Sequence, residues 1–367
     1  MKVPLLDLSL QNNPVLDEIK EEIEKVYSSH HYILGSQVRE FEEDMEKFLG
    51  IKHAIGCASG SDALILALLA CGIKEGDEVI TVSFTFFASV SAIHRIGAKP
   101  VLVDIDYDTF NIDPDEIRKA ITCKTKAIMP VHLFGQPADT DKIKKIAEEY
   151  NLKIIEDTAQ GIGGKFSGKF AGTIGDVGTL SFFPSKNLGA MGDGGMCLTD
   201  DDETALKLRK LRVHGEYKKY HHNQVGLNSR LDTIQAAVLK IKLKYLNKWT
   251  AMRKENGAFY NEHLAGIPEV KIPFIHEKAE TVYNQYTLKV ERRDELMRYL
   301  QENGIGCAIY YPLPLHLQEC FADLGYRKGD FPNSEKVADS VLSIPIYSEL
   351  TEDQKYYVVE KIKSFYK

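Results

Sequence analysis

The chain has no Cys-x-x-Cys pair, and none of its six cysteines stands at a Cys/His spacing that would close a zinc site. Cys57, Cys71, Cys123, Cys197, Cys307 and Cys320 sit mostly among apolar neighbours. They are expected as reduced core thiols of a cytoplasmic protein, not as a disulfide framework. No metal is expected. No uninterrupted apolar stretch is long enough to cross a bilayer. The opening residues, Met1 to Asp7, lack the charged-then-apolar order of a secretory signal. Strong charge of one sign is missing too. A net charge of -7, with Lys and Arg scattered, argues against a nucleic-acid partner. The small basic cluster Lys142, Lys144 and Lys145 lies in a Glu-rich, helix-like segment and reads as a solvated face. Repeats and low-complexity linkers are absent. Yet 367 residues are too many for one simple core, so two or three packed subregions are expected.

The first part alternates between short apolar runs and helical patterns. Strands are expected at His53–Ala58, Glu78–Val82, Pro100–Ile105, Ala127–Val131 and Leu152–Asp157. Continuous apolar strands separated by helices imply an α/β fold with a mainly parallel sheet covered on both faces. Ligands of such sheets bind at the carboxyl ends of the strands. Ile234, Val238, Ile241 and Tyr245 then recur at a helical period behind Asp232, and a second helix is expected over Trp249–Leu264. The remainder reads as a smaller α+β region with a strand at Tyr286–Val290 and a helix over Glu352–Phe365. The expected division is a large domain, residues 1–245, and a smaller one, residues 246–367.

Four features at the strand ends carry chemistry when read together. Ser59-Gly60-Ser61-Asp62 joins a strand to a helix, where free N–H groups and the helix dipole favour a phosphate. A cap is the simpler reading of that turn alone. Glu156-Asp157-Thr158-Ala159-Gln160 ends an apolar strand, and a carboxylate there can hold a pyridine nitrogen protonated. Ser181-Phe182-Phe183-Pro184-Ser185-Lys186-Asn187-Leu188-Gly189 sets one lysine among aromatic, small and glycine residues. Desolvation there makes an amine a usable nucleophile and base. Gly226 to Asp232, with Asn228 and Arg230, opens the long helix. Gly161-Ile162-Gly163-Gly164 superficially suggests a dinucleotide loop but lacks the G-x-G-x-x-G spacing.

In this order the motifs resemble the sugar-nucleotide aminotransferases of the DegT/DnrJ/EryC1/StrS family, pyridoxal-phosphate (PLP) enzymes of the aspartate-aminotransferase-like fold type I. The likeness covers nearly the whole chain. It includes Tyr32-Ile33-Leu34-Gly35, Phe84-Thr85-Phe86, His132-Leu133-Phe134-Gly135-Gln136-Pro137, Tyr311-Pro312-Leu313-Pro314-Leu315-His316 and Leu342-Ser343-Ile344-Pro345. The resemblance implies Lys186 as the Schiff-base lysine, Asp157 as the pyridine-nitrogen partner, Gln160 as the ring-oxygen contact and Phe86 as the stacked aromatic. It implies Gly60, Ser61, Asp62 (through its backbone) and Ser181 as the phosphate cup. Asn228 would reach the phosphate of a second subunit, so the resemblance implies a homodimer with shared sites.

The stretch from Phe182 to Gly195 is most similar to members acting at C-3 of dTDP-linked 3-keto-6-deoxyhexoses, with glutamate as the expected amino donor and pyridoxamine phosphate as the intermediate cofactor form. Lys219 and Arg230 are candidate diphosphate contacts. Phe183, Tyr310, Tyr311 and His316 are candidate sugar contacts. Phe183 stands where relatives often have Tyr, and Tyr310 where they often have His, so hydrogen-bonding capacity at the sugar differs. A C-4 aminotransferase of UDP- or dTDP-4-keto sugars shares every cofactor residue. A PLP-binding regulator without turnover is the alternative from another class.

Overall fold

A computed structural model describes residues 1–367. The five expected strands are present as β1 (His53–Cys57), β2 (Glu78–Val82), β3 (Lys99–Val103), β4 (Thr125–Ile128) and β5 (Lys153–Asp157). Two more, β6 (Val177–Ser181) and β7 (Gly195–Thr199), complete a seven-stranded sheet in the order β1-β7-β6-β5-β4-β2-β3. Neighbours from β3 through β6 pair in parallel, whereas β7 runs antiparallel to both β1 and β6. The two unforeseen strands carry glycines, which weaken a strand signal. Close approach demands them here. A Cβ on Gly178 would lie 2.0 Å from the Gly172 carbonyl oxygen, and one on Gly195 2.3 Å from that of Ser59.

The helix Gly60–Ala70 shows no polar face after its first turn. A helix apolar all round belongs inside. Its Ala63, Leu66, Ala67 and Leu68 pack with Ile55, Val79, Ile155, Val177 and Cys197 of the sheet. The opposite face is covered by further clusters, among them Phe41, Leu180, Phe182 and Leu239.

The C-terminal region forms a three-stranded antiparallel sheet of β8 (Val270–Lys271), β9 (Tyr286–Val290) and β10 (Val341–Ile344) in that order. Helices Arg293–Glu302 and Glu352–Tyr366 contribute Leu296, Leu300, Val358 and Ile362 to its core. Thr351 and Gln354 close the final helix's capping box. The helix Leu246–Leu264 bridges two cores: Leu246 packs beside the large sheet, Tyr260 and Leu264 in the C-terminal cluster. Val3 also joins the C-terminal cluster and pairs with Ile305, so the start of the chain packs with its end. All six cysteines are free, but Cys123 and Cys320 are exposed rather than in a core.

Leu66→Ala would empty a fully buried position between the central helix and the sheet. A loss of about 2–5 kcal/mol is expected, read as a lower thermal or denaturant midpoint with the far-UV circular dichroism unchanged at 20 °C.

Candidate active site

The carboxyl ends of β1, β2, β4, β5 and β6 converge on a cavity of about 440 Å³. Because β7 is antiparallel, its start arrives at the same edge and brings Asp193 and Gly194 to the wall. Lys186 lines this cavity on the loop after β6. Backbone bonds from Phe182 N–H to Gly194 (2.8 Å), Lys186 N–H to Phe183 (2.8 Å) and Ala190 N–H to Phe182 (2.8 Å) fold that loop. The next residue anchors it: buried Asn187 donates to the Val282 carbonyl and accepts from Asn284 Nδ2, each at 3.0 Å. Desolvation pushes the Lys186 amine down to about 8, against the smaller opposing pull of Asp157.

Asp157 ends β5 and also lines the cavity, almost fully buried. Ser89 Oγ donates to its Oδ2 at 2.7 Å and Ala159 N–H to its Oδ1 at 3.2 Å. Gln160 follows on the same wall. Its Oε1 accepts the Phe134 N–H at 2.6 Å, which fixes the amide orientation, and its Nε2 donates to the Tyr311 hydroxyl at 3.1 Å. Tyr311 therefore keeps its own hydrogen free to donate. Burial pushes that phenol well above its usual range, so it remains protonated.

The anion end is built from backbone. Ser59 caps the helix Gly60–Ala70 by accepting from Asp62 N–H at 3.1 Å. Gly60 and Ser61 precede that bond, and first-turn N–H groups have no partner within a helix. Both line the cavity, as does Ser181. A Cβ on Gly60 would stand 2.6 Å from that of Ser181, so glycine is what lets the helix start meet the end of β6.

Most residues expected from the sequence meet here: Gly60, Ser61, Ser181, Asp157, Gln160 and Lys186, then Phe86, Phe183, Tyr310 and Tyr311 around them. Phe86 keeps 56% of its surface exposed, an open aromatic face in a cavity wall. Asp62 lies outside the lining, and its N–H is taken by the Ser59 hydroxyl. Asn228, Lys219 and Arg230 do not line this chain's cavity. Asn228 is exposed, and Lys219 is exposed beside the strand pair Glu216–Lys218 and His221–His222.

His316 is a correction. Its ring is buried, with Nδ1 bonded to Ser83 Oγ at 2.6 Å and Nε2 to Glu335 at 3.0 Å. Both nitrogens are occupied by the protein, so it braces the wall and does not face the cavity. Thr85, Ser89, Asp193 and Gln285 were not foreseen. Thr85, Asp193 and Gln285 line the cavity and Ser89 holds Asp157. Thr85 lies inside the Phe84-Thr85-Phe86 motif, but Ser89 sits in an ordinary helix pattern and Gln285 just before a strand.

The amine has a measurable consequence. Only its neutral form attacks an aldehyde, so the reaction of Lys186 in the apo-protein with a pyridoxal analogue should rise with a midpoint near pH 8. In Asp157→Asn, the charge that raises the amine is gone, and the midpoint should fall further. Stopped-flow absorbance across pH 6–11 reads both.

A family model for the DegT/DnrJ/EryC1/StrS aminotransferase family matches residues 15–363. The chain is 50% identical to a protein of Geobacillus stearothermophilus called pleiotropic regulatory protein, over 100% of this chain and 99% of that one. It is 43% identical to a UDP-N-acetyl-3-dehydro-alpha-D-glucosamine 3-aminotransferase of Acidithiobacillus ferrooxidans, over 96% and 95% of the two chains. It is 42% identical to a dTDP-3-amino-3,6-dideoxy-alpha-D-galactopyranose transaminase of Aneurinibacillus thermoaerophilus, over 99% of each. The crystal structure of DesV from S. venezuelae superposes with a TM-score of 0.98 at 40% identity, covering 100% of this chain and 99% of that one. The chain belongs to the DegT/DnrJ/EryC1/StrS aminotransferase family and is a pyridoxal-phosphate-dependent aminotransferase.

Proposed function

We propose that the enzyme transfers an amino group from glutamate to C-3 of a dTDP-linked 3-keto-6-deoxyhexose, giving the 3-amino-3,6-dideoxy sugar. The observation that carries the sugar class is the composition of the cavity wall. Lys186 is its only cation, and Phe86, Phe183, Tyr310 and Tyr311 bound the open side. A neutral, partly deoxygenated hexose suits the largely aromatic and uncharged part of this wall. The two aminotransferases compared above carry a 3-amino or 3-dehydro sugar in their names, which supports C-3 over C-4. Their nucleotides differ, and the dTDP reading follows the similarity around Phe182–Gly195.

The residues fit the cofactor. Unpaired first-turn N–H groups at Gly60 and Ser61, with Ser181 beside them, suit its phosphate. Asp157, kept as an acceptor by Ser89 and Ala159, suits its ring nitrogen, Gln160 its ring oxygen, and Phe86 its face. The cofactor, when bound, supplies an electron sink for the carbon that gains or loses hydrogen. Lys186 holds the covalent link at rest. Once displaced by an incoming amine, it is the base that lifts a proton from one carbon and returns it to another.

Diphosphate recognition needs cations that this cavity lacks. We assign that part, with Asn228 on the cofactor phosphate and Lys219 and Arg230 as charge partners, to the second subunit of a homodimer.

Adding L-glutamate to the PLP-loaded enzyme should replace the absorption of lysine-bound cofactor by that of pyridoxamine phosphate. A spectrum unmoved by glutamate and other common donors would favour a non-catalytic regulator instead. Incubation with 3-keto and 4-keto sugars, each as dTDP and UDP forms, should yield an amine at C-3 of the dTDP-6-deoxy substrate by product NMR; an amine at C-4 refutes the regiochemistry. Lys186→Ala should reduce turnover by more than about 10³-fold with the fold intact.

A further inference from the structure

One buried histidine–carboxylate pair beside the active site has no part in the chemistry above. Glu156 precedes Asp157 on β5 and points to the opposite side of the strand, where it is fully buried. A carboxylate without water needs a full set of donors. Glu156 has one. Its Oε1 accepts the Ile174 and Gly175 N–H groups, both at 2.7 Å, and its Oε2 accepts the Gly172 N–H and His132 Nε2, both at 2.9 Å. Burial works to raise its pKa, but the His132 bond and the backbone donors outweigh it and hold the group ionised below the usual range. His132, also fully buried, accepts the Ala138 N–H on Nδ1 at 3.0 Å, so its hydrogen is on Nε2 and aimed at Glu156.

His132 grips β5 a second time. Its backbone N–H donates to the Asp157 carbonyl at 3.0 Å, while the Asp157 N–H donates to Pro130 at 2.9 Å. Thr179 Oγ1 fixes the Glu156 carbonyl from the other flank at 3.0 Å. Two residues beyond His132, the Phe134 N–H orients Gln160. The same short segment thus holds both residues assigned to the cofactor ring. Gly161 leaves room beside the base of this side chain, where a Cβ would lie 3.0 Å from that of His132.

We propose that the His132–Glu156 pair is a positioning device that sets where Asp157 and Gln160 meet the cofactor ring. The inference rests on the assignment of those two residues to the ring. His132 and Glu156 do not line the cavity. They hold the strand end and the following turn in one register, so that a carboxylate and an amide arrive at a rigid ring together.

Two substitutions of His132 separate positioning from stability. In His132→Gln the amide nitrogen reaches the Nε2 position and keeps the donor to Glu156. In His132→Asn the amide oxygen keeps the Ala138 bond, but the donor to Glu156 is lost. Each loses one hydrogen bond. The readouts are the dissociation constant of pyridoxamine phosphate, which forms no lysine bond, by fluorescence titration, the circular dichroism of the bound cofactor, and the melting point of the apo-protein. His132→Gln should stay within about threefold of the unsubstituted protein, and His132→Asn should bind about tenfold more weakly with a diminished cofactor signal. Equal affinities for the two variants overturn the proposal. Should His132→Asn not fold, Gly161→Ala presses on the His132 Cβ from outside the pair and should weaken binding in the same direction; unchanged binding there overturns the proposal as well. If the unsubstituted protein binds no pyridoxamine phosphate, the cofactor assignment itself falls, and this inference with it.

Discussion

A lysine amine stripped of water and facing a buried carboxylate is the arrangement around which this molecule is built. In a solvated position the same amine would be charged and inert toward carbonyl carbon. Desolvation, opposed by the smaller pull of Asp157, brings it to about 8. The two groups come from the ends of neighbouring parallel strands, β5 and β6, so one feature of the sheet delivers both. Neither is free to drift. The loop carrying Lys186 is tied to the C-terminal region through Asn187, Val282 and Asn284, and Asp157 is held by Ser89 and by its own strand neighbours. Any motion of the C-terminal region relative to the sheet is therefore felt at the lysine loop.

Glycine supplies the second condition, close approach. At Gly60 and Gly195 the start of the central helix, the end of β6 and the start of β7 come within distances that no side chain tolerates. The result is an anion cradle made of main chain. It carries no net charge, so it does not compete with Lys186 for Asp157. A basic side chain in that place would have shifted the amine further and added a second cation to the cavity. Using N–H groups keeps the lysine the sole cation in the wall.

The sequence made these parts legible where chemistry and pattern coincide. Lys186, Asp157 and Gln160 stand at ends of apolar runs, and the strand-to-helix turn at Gly60 has a composition that few other local structures need. What stayed hidden depended on distant neighbours. β6 and β7 look weak because Gly178 and Gly195 are required by contacts with Gly172 and Ser59, which no local window reveals. His316 belongs to a motif that opens on the cavity-lining Tyr311, yet Ser83 and Glu335 take both its nitrogens. Ser89 is one helical residue among several, and only the fold brings it 2.7 Å from Asp157. Val3 packing with Ile305 is equally invisible along the chain.

The same accounting bears on assembly. A cofactor phosphate and a nucleotide diphosphate together bring several negative charges to one cavity. Backbone N–H groups at Gly60 and Ser61 can meet one phosphate, and the only side-chain cation lining the cavity must stay neutral to react. The remaining charge needs a source outside this wall. Lys219 and Arg230 lie off it, and Tyr217, Tyr220 and Val225 around the nearby strand pair expose apolar surface to solvent in a single chain. In the homodimer proposed above, these exposed side chains and cations would face the neighbouring subunit's cavity.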